Sequence, residues 1–234
     1  MPSSDSGATG PSDAAATVEA VLFDFGGVLS SSPFETFARY EAANGLPAGF
    51  IRSVNATNHH DNAWARLERN EVGFDEFCDA FEAEAAAAGG ELDARSLLAA
   101  LSMDLRPAMV EAVRRCAERY KTGLLTNNFV SPMTDSEPAE PGRPSGARWR
   151  LGEVLAFFDV VIESSVVGVR KPDPRFYAMA CERLGIEPSG AVFLDDLGVN
   201  LKPARAMGMK TIKVGDPDDA LDELEAVLGH SVRA

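Results

Sequence analysis

At 234 residues the chain has room for one large α/β core and a modest insertion, because a chain of this length buries much of its surface. Its 36 acidic against 22 basic residues give a net charge of -14, which repels polyanions at long range and argues against a general nucleic-acid-binding face. Three widely spaced cysteines, Cys78, Cys116 and Cys181, make neither a metal-like pair nor a disulfide framework, and no run approaches the roughly 18 apolar residues of a membrane span.

Residues 1–18 are rich in Ser, Ala, Gly and Pro, with acid but no base. They lack the basic start and apolar stretch of a secretory signal, so a disordered tail and a cytoplasmic location are expected. Residues 18–22 read as a short buried strand that runs into Phe23-Asp24-Phe25-Gly26-Gly27. From 31 to 103 the pattern turns wholly helical, in FETFARYEAAN, NAWARLE, FDEFCDAFEAEAAAA and DARSLLAAL, which predicts a small helical bundle inserted after the first strand. Placed beside the first turn, such an insertion can act as a lid that excludes water and selects substrate.

The rhythm then becomes strand and helix in alternation: helix over 107–120, strand over 123–126, strand over 159–163, helix over 173–184 ended by Gly185, strand over 191–194, helix over 200–207 ended by Gly208, strand over 211–214. That order predicts crossover units and a parallel sheet. The core is thus expected to comprise 19–30 and 104–234, with 31–103 as the cap. Residues 131–150, a polar stretch with four prolines, are expected to be a long mobile loop within the core, and its Arg143, Arg148 and Arg150 beside Trp149 could reach a substrate phosphate.

Four strand-end segments carry chemistry: Asp24, then Thr126-Asn127-Asn128, then Lys171-Pro172-Asp173, then Asp195-Asp196. In an open α/β fold such ends converge on one crevice. Asp24 with Asp195 and Asp196 makes the hard oxygen cluster that Mg²⁺ prefers. Thr126 offers a hydroxyl, and the amides of Asn127 and Asn128 offer donors for phosphoryl oxygens; the plainer reading is a polar turn pinning the strand end. Lys171 can neutralise a phosphate dianion and keep a carboxylate ionised. In the insertion, His59 and His60 are candidates for substrate contact; as neighbours on a helix they would point about 100° apart, so one at most would face the site. Asn55, Asn58 and Trp64 could line the same surface.

On these motifs the chain resembles the haloacid dehalogenase-like hydrolase superfamily, with FDFGGV as its first motif, Thr126 its second, Lys171 its third, and Asp195 with Asp196 its fourth. Stretches such as LLTNN, VIES, GVRKPDPRFY and FLDDLGVNLKPARAMG are most similar to the helical-cap subfamily IA, in particular the amino-terminal phosphatase domain of soluble epoxide hydrolase and the matching domain of a fused acyl-CoA dehydrogenase. The resemblance implies a Rossmann-like open parallel sheet flanked by helices, with an all-helical cap. It implies that Asp24 attacks phosphorus of a small phosphomonoester to give an aspartyl-phosphate that water hydrolyses. It further implies Mg²⁺ held by Asp24, the Gly26 carbonyl and Asp195, with Asp196 in the same cluster, in a monomer or homodimer.

Asn200 stands where the family often has a further acid, and Gly26 where its phosphatases usually carry an Asp as general acid and base. That group is worth about 10² to 10⁴-fold in rate, so slow turnover, a catalytically weak binding or interaction protein, and a dehalogenase-type hydrolase are the alternatives. Residues 31–103 contain no lysine, which argues against imine-based phosphonate cleavage. Dehalogenases usually place an aromatic where Gly26 stands and need no metal, so the acids at 195 and 196 favour phosphoryl transfer.

Overall fold

A computed structural model describes residues 17–101, 104–129 and 151–233. Most of the expected tail, and all of the 131–150 loop with Arg143, Arg148, Trp149 and Arg150, lie outside the described residues.

Five strands form one parallel sheet: β1 (Ala20–Phe23), β2 (Lys121–Thr126), β3 (Val160–Glu163), β4 (Ala191–Asp195) and β5 (Lys210–Lys213), in the spatial order β3-β2-β1-β4-β5. β1 is central and wholly buried, which is why AVLF carries no polar alternation: both faces of a parallel strand are covered by helices. Val21, Phe23, Val192 and Leu194 pack on one face with Met109 and Val113, and Leu22 and Phe193 on the other with Phe176, Tyr177 and Leu201. Phe23 lies opposite Leu124 on β2 and Leu194 on β4. That register brings Asp24, the next residue, level with Asp195.

The insertion is helical: α1 (Pro33–Ala43), α2 (Phe50–Ala56), α3 (Ala63–Glu68), α4 (Phe74–Ala87) and α5 (Ala94–Ala99). Local chemistry starts three of these helices. Ser32 caps α1 ahead of Pro33, Asn62 caps α3 and Asp93 caps α5. α2 begins at Gly49, which has no side chain, and the buried Glu41 of α1 substitutes, accepting from the backbone N–H of Gly49 (2.7 Å) and Ile51 (2.8 Å). The apolar faces close on a separate core of Phe37, Ile51, Val54, Phe77, Phe81 and Leu97. The chain enters and leaves this cap side by side: Ser30 and Leu105 bridge, Ser31 N–H donates to the Asp104 carbonyl (2.9 Å), and Arg106 N–H to that of Leu29 (2.8 Å).

The remaining helices flank the sheet: α6 (Pro107–Ala117), α7 (Leu151–Leu155), α8 (Ser164–Val167), α9 (Pro174–Leu184), α10 (Gly198–Ala206) and α11 (Pro217–Leu228). This is an α/β Rossmann-like parallel sheet flanked by helices with an inserted helical cap. No helix among the described residues is long and apolar enough to cross a membrane.

The expected helix over 107–120 stops at Ala117, and the one over 200–207 begins earlier, at Gly198. α11 falls outside every expected span, although Asp216 followed by Pro217 is a sound N-terminal signal. His59 and His60 lie in a turn between α2 and α3, not on a helix. Asn58 there has φ +47°, and Asn62 closes the turn by donating to the carbonyls of Asn55 and Thr57 while its oxygen accepts from Ala65 N–H. The 100° separation of helical neighbours therefore does not apply, and the two rings lie with centroids 3.9 Å apart.

Candidate active site

The crevice is assembled at the carboxyl ends of the strands. Asp24 leaves β1 with extended backbone, is held by its N–H to the Leu194 carbonyl (2.9 Å), and turns its Oδ1 back onto the Phe25 N–H (2.7 Å). The chain then reverses at Gly27, whose φ is +76°. A β-carbon there would overlap the Asp196 carboxylate, so glycine is required by both conformation and space.

Lys171 is the hub. Its side chain is 1% exposed, and Nζ lies 2.7 Å from Asp24 Oδ1 and 2.7 Å from Asp195 Oδ2. The loop that delivers it is clamped by Asn127, whose Oδ1 accepts from Lys171 N–H (2.9 Å) while Nδ2 donates to the Lys171 carbonyl (3.1 Å). Asp195, fully buried, accepts from Leu197 N–H (2.8 Å) and from Asn200 Nδ2, which reaches both oxygens at 3.0 Å. Asn200 thus spends its amide on orienting Asp195. The Asn200 carbonyl in turn takes the Tyr177 hydroxyl (2.7 Å).

These contacts set the electrostatics. Burial raises the Asp24 carboxyl well above the usual carboxylate range, against the pull of Lys171, and Asp195 adds to the rise. Burial would depress the Lys171 ammonium, but Asp195 and Asp24 outweigh it and hold its pKa above the ordinary lysine value. Asp196 is pushed up to about 6, chiefly by burial and then by Asp195, with Ser32 Oγ 3.5 Å from its Oδ2. The carboxyl oxygens of Asp24, Asp195 and Asp196 lie within 4.8 Å of one another. Three hard oxygen donors crowded around one ammonium, with two of them unfavourably charged, fit a divalent cation such as Mg²⁺.

The structure brings together Asp24, Lys171, Asp195 and Asp196, with Thr126 buried at the end of β2, one residue past the level of Asp24. Asn128 is drawn the other way: Nδ2 donates to Glu163 (2.8 Å), and Oδ1 accepts from the Ser165 N–H and hydroxyl. The side-chain amides of Asn127 and Asn128 therefore hold loops in place. His59 and His60 line a cavity at the seam between cap and core, whose walls include none of Asp24, Asp195 and Asp196.

Two participants were missed from sequence. Ser32 had no signal beyond its place before a proline. Arg106, which donates to the Gly27 carbonyl (2.7 Å) from the far side of the cap's double crossing, is 79 residues from its partner, and no local pattern encodes that pairing.

A profile described as a haloacid dehalogenase-like hydrolase matches residues 18–208. The chain is similar to acyl-CoA dehydrogenase family member 10 of Mus musculus, 36% identical over 217 residues that make up 90% of this chain and 19% of that protein. It is also similar to bifunctional epoxide hydrolase 2 of Sus scrofa, 32% identical over 226 residues, 91% of this chain and 39% of that protein. The chain thus spans about a fifth and about two fifths of these relatives. Among solved structures it resembles a predicted HAD-like family hydrolase from Porphyromonas gingivalis, with TM-score 0.60, 19% identity, and coverage of 91% of this chain and 98% of that one. A HAD family enzyme from Bacteroides thetaiotaomicron, solved in complex with magnesium and inorganic phosphate, gives TM-score 0.57 at 20% identity, covering 85% and 96%. At these identities the structural likeness speaks to fold.

Proposed function

The chain belongs to the haloacid dehalogenase-like hydrolases, and from that premise we propose that it is a Mg²⁺-dependent phosphatase of small phosphomonoesters, acting through an aspartyl-phosphate on Asp24. The observation that carries the reading is the buried lysine bridging two carboxylates at 2.7 Å each, with a third carboxylate beside them. We place it with the helical-cap branch containing the relatives above, with residues 31–103 as cap over a core of 19–30 and 104–234.

Mg²⁺, held by Asp24, the Gly26 carbonyl and Asp195 with Asp196 alongside, would draw charge from the phosphoryl oxygens. The rest falls to the chain's own residues. Lys171 and the Phe25 N–H both engage Asp24 Oδ1, which fixes the carboxylate plane and leaves Oδ2 as the attacking oxygen. Its attack forms an Oδ2–P bond as the ester P–O bond breaks. The Thr126 hydroxyl and the Lys171 ammonium stabilise the charge gathering on the phosphoryl group. The departing alkoxide takes a proton from solvent, and water, giving a proton back to solvent, then attacks phosphorus as the Oδ2–P bond breaks, releasing phosphate and restoring Asp24. Gly26 supplies no acid for the first step, so esters with good leaving groups are favoured. The retained acid cluster favours this reaction over dehalogenation, which requires no metal.

The test is phosphate release from a panel of alkyl and aryl phosphomonoesters, with Mg²⁺ and with EDTA. Release that needs Mg²⁺ and falls at least about a thousandfold in a folded Asp24→Asn variant is expected. Turnover that survives Asp24→Asn would sink the aspartyl-phosphate. No release from any ester would point to a binding role or to other hydrolytic chemistry.

A further inference from the structure

The cavity at the seam between cap and core, about 420 Å³, is within the size range of small-molecule sites. Three arginines and two of the chain's three histidines line it: His59, His60 and Arg69 from the cap, Arg170 and Arg175 from the core. In a chain of net charge -14 this gathers three guanidinium groups on one cavity, each paired with a carboxylate: Arg69 with Glu71 and Asp61, Arg170 with Glu68, and Arg175 with Asp173. The single carboxylate in the wall is Asp173.

The cationic groups are also held in place. Arg170 Nη1 donates to the His59 carbonyl (3.1 Å) and Arg69 Nη1 to the His60 carbonyl (2.8 Å), so an arginine from each side of the seam fixes the backbone of the histidine pair, whose rings are tilted 40° to each other. Arg69 is otherwise engaged by Glu71 and Asp61, and Arg175 by Asp173, so a ligand there exchanges its own oxygens for these carboxylates. Arg170 Nε lies 2.7 Å from Glu68 Oε2, yet both atoms are buried without an aligned hydrogen bond. Guanidinium forks match phosphate and carboxylate oxygens bidentately, and imidazole N–H groups add donors.

We propose that this seam is a second anion site, separate from the acid cluster, that takes a small organic polyanion bearing phosphate or carboxylate groups and fastens the cap to the core by touching arginines of both. Binding there favours the arrangement in which the two sides meet, since only that arrangement offers all the donors at once.

The test is calorimetric titration of the full chain, freed of metal by dialysis and kept in a buffer without chelator, with pyrophosphate and, separately, citrate, probes of the phosphate and carboxylate cases. At least one probe is expected to bind the wild type, to bind Thr126→Val equally, and to bind Arg69→Gln and Arg175→Gln about tenfold more weakly. Imidazole proton resonances of His59 and His60 are expected to move during the titration, with His230 unmoved. A wild type that binds neither probe overturns the proposal. So does binding that Arg175→Gln leaves intact, or binding that weakens in Thr126→Val, which would put the anion in the crevice. No turnover is measured, so the outcome is independent of whether the phosphatase reading holds.

Discussion

Gly27 admits no side chain, because its φ of +76° and the Asp196 carboxylate behind it both exclude a β-carbon, whereas the neighbouring Gly26 is unconstrained. Gly26 has φ -68° and ψ 126°, and the nearest atom to an added β-carbon would be Pro33 Cδ at 3.6 Å, an ordinary contact. Gly26→Asp is therefore expected to fold with a Tm within a few degrees of wild type and to raise release from alkyl esters more than from aryl esters, by up to about 10²-fold. An unchanged alkyl-to-aryl ratio would show that leaving-group protonation is not limiting. Asp196 sets a pH dependence. Its folded pKa of about 6 lies above the unfolded value of about 3.9, so the fold prefers the neutral acid. The resulting stability is fully present below pH about 3.9 and is lost as pH rises through about 6. In EDTA the wild type should lose roughly 2 kcal/mol more than Asp196→Asn between pH 4 and 7, read by urea denaturation, and Mg²⁺ should recover more stability in the wild type than in the variant. Parallel curves for the two proteins in EDTA would refute this.

Among the elements, α2 depends on a residue outside it. Removing the Glu41 carboxylate leaves the N–H groups of Gly49 and Ile51 without an acceptor, at about 1–3 kcal/mol for a buried group. Glu41→Ala should lower Tm by several degrees and speed hydrogen exchange in α2 while leaving β1 protected; uniform acceleration across both would mean the cap has no stability of its own. The strands were the most legible feature of the sequence. Short runs such as AVLF and AVFLD, apolar on both faces and bounded by glycine or acid, allow little else. The helical insertion was legible from its period, and the acids followed from being at strand ends. What escaped was governed by distant partners. Nothing near Asn128 announces that Glu163 and Ser165 will occupy its amide. α11 and the turn at His59 were exceptions, since the cap signal of the one and the asparagines Asn58 and Asn62 of the other are local and could have been read.

At the scale of the whole molecule, Lys171 joins β1, β4 and the seam loop through one ammonium. Lys171→Met would leave Asp24 and Asp195 buried without a counter-charge, a loss of about 3–5 kcal/mol. The variant is expected to be largely unfolded or strongly destabilised in EDTA and to regain much of its Tm with Mg²⁺; a wild-type Tm in EDTA would mean the two acids are neutralised in some other way. The double crossing at Ser30 and Leu105 makes the cap a branch from one point of the core, and the Arg106 bond to the Gly27 carbonyl carries that branch point directly to the turn after Asp24. The strand order has a further consequence during synthesis. β1 is made early, its neighbour β2 follows the cap, but the other neighbour, β4, does not exist until residues 191–195 have left the ribosome. Until then β1 has an unpaired edge, and the Lys171 ammonium lacks Asp195. A nascent chain halted before β4 is therefore expected to aggregate more readily than the full chain, by pairing through that open edge.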